Sequence, residues 1–129
     1  MGAPVTGFYA ALAALLIVML AMRVVARRWR TKTGIGDGGD RSLAKAIRVH
    51  GNAVEYVPLA LVLMLIAELG HASPVLLHGC GIALCTARVL HAFGLSRTSG
   101  ASLERVAGTA GTFTVIAVLA FVNLAAFLR

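Results

Sequence analysis

Three observations predict an all-α membrane protein folded as a four-transmembrane-helix bundle. The 129 residues are 59% hydrophobic and 13% charged, and a mean hydropathy of +0.87 lies outside the range of an ordinary soluble domain. Three stretches, Met1 to Met22, Leu69 to Ala87 and Val106 to Leu128, carry no charge. Each is long enough to cross a hydrocarbon core about 30 Å thick. A fourth, Ser42 to Glu68, is polar in its first half and apolar in its second, with ample total length for a span. Residues 1–129 therefore read as one membrane domain, with no internal repeat and no soluble domain.

Helix one is expected over about residues 4–28, apolar until an arginine-rich end whose long side chains reach the headgroups. The polar loop Thr33 to Asp40 follows. Its Gly34, Gly36 and Gly39 satisfy G-x-G-x-x-G, but a dinucleotide site needs a preceding strand, and a membrane helix precedes this one. Helix two, about 42–69, contains Pro58, which removes a hydrogen bond to the carbonyl of Val54 and is expected to bend it. Helix three, about 74–94, offers Gly79, Gly81 and Ala83 for close packing. Its Cys80 and Cys85 lie five apart, about 140° around the axis, and read as small buried side chains. Loop three is expected over Leu95 to Ala101. Helix four, about 102–128, has Ser102 as N-cap, Glu104 in its first turn and a small-residue packing stretch from Ala107 to Thr112.

The formal charge of +7 does not indicate nucleic acid, because the basic residues sit at membrane edges. Eight of them, from Arg23 to Arg48, flank loop one, and Arg88, Arg97 and Arg105 flank loop three. The positive-inside rule then puts loops one and three in the cytoplasm, with only Arg129 dissenting. The first apolar run lacks a basic residue before it, so an uncleaved helix is expected rather than a signal peptide. Met1-Gly2 with Thr6 fits a loose myristoylation pattern, which Pro4 and the adjoining span make redundant. Short loops and the lack of targeting signals point to a bacterial inner membrane. The four histidines share no ligand spacing on a common face, so no metal is expected.

The candidate site is a polar stripe on helix two. Lys45, Arg48, Asn52, Glu55 and Tyr56 recur at spacings of three and four, which places them on one face. At 1.5 Å per residue Glu55 lies ~22 Å from Gly70, roughly 8 Å inside the nearer boundary of a 30 Å core. Ionisable groups at mid-membrane cost roughly 2.5 to 3.5 kcal/mol each, so Glu55 is expected to face protein or a polar cavity. One reading is a network that only fixes helix packing. The other is a ligand site, to which helix three adds Arg88 and His91 and helix four adds Arg105. Guanidiniums, a carboxylate, an amide and a phenol suit a small zwitterionic, net-anionic ligand.

At these residues the chain resembles the MAPEG family, the membrane-associated proteins in eicosanoid and glutathione metabolism. The resemblance rests on Arg48-x3-Asn52-x2-Glu55-Tyr56-x-Pro58, on four spans and on a length near 130 residues. It implies a homotrimer with glutathione held between subunits near the cytoplasmic face. Arg48 would hold a carboxylate, Glu55 the ammonium, and Asn52 and Tyr56 would supply hydrogen bonds. It further implies that an arginine at the start of helix four activates the thiol, with Arg105 the candidate and Arg97 the reserve. His50 is a further candidate contact. Eicosanoid enzymes of the family carry two tyrosines four apart at the end of helix three, where this chain has His91 and Leu95.

The implied activity is that of a glutathione-dependent transferase or peroxidase acting on lipophilic electrophiles or hydroperoxides, with membrane lipids as neighbours and a lipophilic second substrate supplied through the bilayer. One alternative is a non-enzymatic MAPEG-like protein that binds lipid or glutathione. Another is a small four-helix multidrug transporter using Glu55 as its acid, although such transporters carry that acid in the first helix, and helix one here has none.

Overall fold

The computed structural model describes residues 2–97 and 102–128. Among them it has four α-helices, α1 (Pro4–Thr31), α2 (Arg41–Leu69), α3 (Pro74–Arg97) and α4 (Leu103–Phe127). All four are long and apolar enough to cross a membrane. Among the described residues helices α2 and α3 each pack on the other three, whereas α1 and α4 do not pack on one another. The outer face of α1 exposes Phe8, Leu15, Val18, Met19 and Met22, as a lipid-facing helix should.

Three helix ends differ from expectation, each for a local reason. Helix α1 continues three residues past Arg28 to a left-handed Lys32. The Arg28 guanidinium donates to the carbonyls of Thr33, Gly34 and Gly36, gathering the loop onto the helix end. Helix α2 starts at Arg41, because Asp40 caps it by accepting from the Leu43 N–H at 2.7 Å and the Ser42 hydroxyl at 2.6 Å. Helix α3 runs to Arg97, so Leu95 is a buried helical residue and not the start of a loop. Gly94 fails to end it because α4 packs there: a Cβ would lie 2.7 Å from Ser102 Oγ and 2.8 Å from the Arg105 nitrogen. The rest of the expected loop three, Thr98 to Ala101, and the dissenting Arg129 lie outside the described residues. Ser102 caps α4 through the Arg105 N–H, as its sequence predicts.

The core has two apolar clusters. One, nearer loop two, gathers Tyr9, Met64, Leu77, Leu84, Val115 and Leu119. The other, at the arginine-rich end, gathers Leu20, Val49, Ala53, Ala92 and Leu95. Cys80 is buried, Cys85 is half-buried, and both are free thiols. At the loop-two end Glu68 does a capping task that its sequence position does not announce. Its two carboxylate oxygens accept from the N–H groups of Val5 at 2.9 Å and Thr6 at 2.7 Å, tying the start of α1 to the end of α2.

Candidate functional site

Between the two apolar clusters lies a polar layer centred on Arg88. This arginine is 3% exposed. It donates from Nη2 to Asn52 Oδ1 at 2.7 Å and from Nη1 to Thr112 Oγ1 at 3.4 Å, and Nη2 lies 3.4 Å from His91 Nδ1. The Thr112 hydroxyl donates to the Gly108 carbonyl at 2.8 Å, which leaves its oxygen free to accept. All three partners are neutral or accept as neutral groups, and among the described residues Arg88 Nε has no hydrogen-bond partner. Among the described residues no carboxylate pairs with this buried cation. A buried charge balanced only by dipoles leaves a net positive potential around Asn52.

The layer exists because α3 and α4 approach closely. A Cβ on Gly108 would lie 2.5 Å from the Ala87 carbonyl and 2.6 Å from the His91 nitrogen, so only glycine lets α4 seat against Arg88 and His91. The small-residue stretch of helix four is thus a packing face, as expected, and it also delivers Thr112 to the site. Thr112 is the site residue the sequence reading missed. Its signal was a hydroxyl one helical turn after Gly108 in an otherwise apolar helix.

Asn52 is half-buried, and its orientation is fixed by chemistry: a guanidinium has only donors, so Arg88 must meet the amide oxygen. The amide NH2 is then turned away from Arg88 and remains available as a donor. Arg48 and Glu55 lie two turns apart on α2 and form an ion pair at 3.1 Å, with side chains 63% and 45% exposed. Within one chain Glu55 therefore faces outward rather than into protein. Tyr56 packs edge-on against Phe113 of α4, ring centroids 5.2 Å apart.

The stripe thus divides among neighbours. Asn52 goes to α3, Tyr56 to α4, and Arg48 with Glu55 to the outside of the bundle. Lys45 lines a basic pocket with Arg23, Arg27 and Arg41. His50 is half-buried, two residues from both Arg48 and Asn52 and so about 200° around the helix from each. His91 is 2% exposed, with its Nδ1 turned to the Arg88 guanidinium, which has only donors. Arg105 lines an open cavity of about 450 Å³ with Val106, Thr109, Ala110 and Phe113, the ring that touches Tyr56. Arg97 sits elsewhere, its guanidinium 5.0 Å from the centroid of Phe93 on a groove between α1 and α3.

Fold and site together define a small four-helix membrane protein with a buried arginine-centred polar layer opening onto an exposed ion pair. The chain belongs to the MAPEG family, whose family model matches residues 6–125. It is also similar to the inner membrane protein YecN of Escherichia coli, both in strain K12 and in strain CFT073. In each case it is 46% identical over 90 residues, covering 70% of this chain and 69% of that protein.

Proposed function

We propose that this protein is a membrane-bound glutathione-dependent transferase or peroxidase of the bacterial inner membrane, acting on lipophilic electrophiles or hydroperoxides. The observation that carries the reading is the Arg88–Asn52 pair beside the outward Arg48–Glu55 pair. Glutathione matches this set group by group. Glu55 takes the ammonium, Arg48 a carboxylate, and the Asn52 NH2 and Tyr56 hydroxyl donate to the remaining oxygens. Arg88 acts through Asn52 as a positioning residue, and His91 stands behind it. His50, across the helix, is the remaining candidate contact on α2.

An ion pair on the outer face of a membrane helix needs a polar neighbour. A second copy of the chain supplies one, which supports a homotrimer with glutathione between subunits and loops one and three cytoplasmic. Arg105, in the cavity beside Phe113 and Tyr56, is the residue assigned to the thiol, whereas Arg97 lies on the groove between α1 and α3. Lowering a thiol pKa of about 8.5 by ~2 units requires about 2.7 kcal/mol of preferential thiolate stabilisation, within reach of a poorly solvated guanidinium. The thiolate then attacks the electrophilic carbon, a C–S bond forms, and the leaving group departs with its electron pair.

A second reading is a MAPEG-like protein that binds lipid or glutathione without turnover. The burial of His91 and Leu95 favours it, since neither of these two positions on α3 presents its side chain to a substrate. Calorimetry with glutathione and thiolate absorbance in detergent test both readings. The transferase binds glutathione, shows thiolate and loses turnover in Arg105→Ala while retaining binding. A binding protein shows the heat without the thiolate. Absence of both signals refutes glutathione as the ligand.

A further inference from the structure

A second basic cluster lies apart from the stripe. Arg23 and Arg27 of α1 and Arg41 and Lys45 of α2 converge with Ser42 and Ser96 around a pocket of about 200 Å³. Among the described residues none of the four cations is paired with a carboxylate. The nearby Asp40 carboxylate is hydrogen-bonded to Ser42 and Leu43, and its charge is felt by Arg27 without a direct ion pair. The serine protons are committed too, Ser42 to Asp40 and Ser96 to the Ala92 carbonyl. What the pocket presents to a ligand is positive charge.

This pocket adjoins a mostly apolar groove of about 360 Å³ between α1 and α3, which shares Arg23 and Ser96 with it and is also lined by Arg97. The two walls match in spacing. Leu16, Met19, Leu20 and Arg23 recur at i, i+3, i+4 and i+7 on α1, as do Val89, Ala92, Phe93 and Ser96 on α3. The polar members meet at the rim, where Arg23 Nη1 donates to Ser96 Oγ at 3.2 Å. Leu16 lies ~10 Å along the helix from Arg23, about two thirds of the ~15 Å depth of one leaflet.

We propose that this pocket and groove form a binding site for one anionic phospholipid, with its phosphate among the four cations and an acyl chain between α1 and α3. Basic pockets between membrane helices recognise anionic headgroups in this way. A free phosphate has the same headgroup chemistry but leaves the groove unused. Neither cavity is lined by Arg48, Asn52, Glu55 or Tyr56, so the proposal stands apart from the glutathione reading.

Native mass spectrometry of the intact protein in dodecyl maltoside, with phosphatidylglycerol, phosphatidylcholine or inorganic phosphate added, tests it. Phosphatidylglycerol should be retained in preference to phosphatidylcholine, and that preference should shrink as salt rises. Arg23→Gln with Arg41→Gln should weaken phosphatidylglycerol retention by about fivefold per charge removed. Arg23→Lys should retain it. Val89→Trp, at an exposed wall position that fills the groove, should weaken phosphatidylglycerol but not inorganic phosphate. Equal retention of the two lipids by the wild-type protein at low salt overturns the site. Displacement of phosphatidylglycerol by an equal concentration of inorganic phosphate overturns the lipid as its occupant. The salt series and the lipid comparison use the unmodified chain, so neither depends on a variant folding.

Discussion

Replacing Gly108 with alanine tests the contact on which the polar layer depends. The added methyl would lie 2.5 Å from the Ala87 carbonyl oxygen, where ordinary contact begins at 3.4 Å. Both the carbonyl and the His91 nitrogen at 2.6 Å are backbone, so no side chain can swing aside, and α3 and α4 must part by about 0.9 Å. Overpacking of this kind costs typically 1–3 kcal/mol, and alanine's better helix propensity offsets up to about 1 kcal/mol of it. A net loss of about 0–3 kcal/mol is expected against wild type, and of about 1–3 kcal/mol against an alanine that gains the propensity without the clash. The separation also stretches the contact from Arg88 to Thr112, already 3.4 Å, beyond hydrogen-bonding range. Thermal unfolding in detergent measures the loss. Gly79→Ala is the control, because a Cβ there meets nothing within 4 Å. A Gly108→Ala protein as stable as the Gly79→Ala protein would refute the close α3–α4 approach.

Glu55→Gln and Arg48→Ala should separate ligand binding from folding. An exposed ion pair contributes about 0–1 kcal/mol to stability, so unfolding should move little while glutathione affinity, measured by calorimetry, falls at least tenfold. Glu68→Gln keeps one acceptor oxygen but loses the charge. It should cost about 1–2 kcal/mol locally and speed amide exchange at Val5 and Thr6, with the rest of the bundle unchanged. The Asp40 carboxyl is held below its ordinary 3.8 by the Ser42 hydroxyl and then the Leu43 N–H. A depressed folded pKa means that this cap is fully present above 3.8 and is lost as pH falls through the lower folded value. The Leu43 amide resonance should therefore titrate with a midpoint below 3.8, and Asp40→Asn should abolish that titration.

The sequence made the four spans legible because lipid imposes a one-dimensional rule: each span must be long, apolar and internally hydrogen-bonded. Helix ends were less legible where tertiary contacts decide them. Gly94 reads as a terminator, yet it lies inside α3 because Ser102 and Arg105 of the next helix press on it. Glu68 reads as an edge charge, and only the meeting of α1 with α2 makes it a cap. In the site, helical spacing put Lys45, Arg48, Asn52, Glu55 and Tyr56 on one face. It did not tell which neighbour each meets, because a face some 100° wide on a packed helix borders more than one partner.

That division bears on how the site would work. Had all five side chains pointed into one cavity, their charges would have paired with one another and with Arg88, leaving little field for a ligand. Instead Glu55 faces outward with Arg48, and the buried guanidinium keeps only neutral partners. Asn52, on the same helix face as Arg48 and Glu55, puts its oxygen on Arg88 and turns its NH2 away. Asn52→Asp is therefore the sharpest substitution. It hands Arg88 a counter-ion and removes the outward donor with almost no change in shape, so it should raise stability while abolishing affinity for an anionic ligand. Thermal unfolding and glutathione calorimetry on the same sample read both effects. A variant that still bound glutathione as tightly as wild type would show that the field of Arg88 plays no part in recognition.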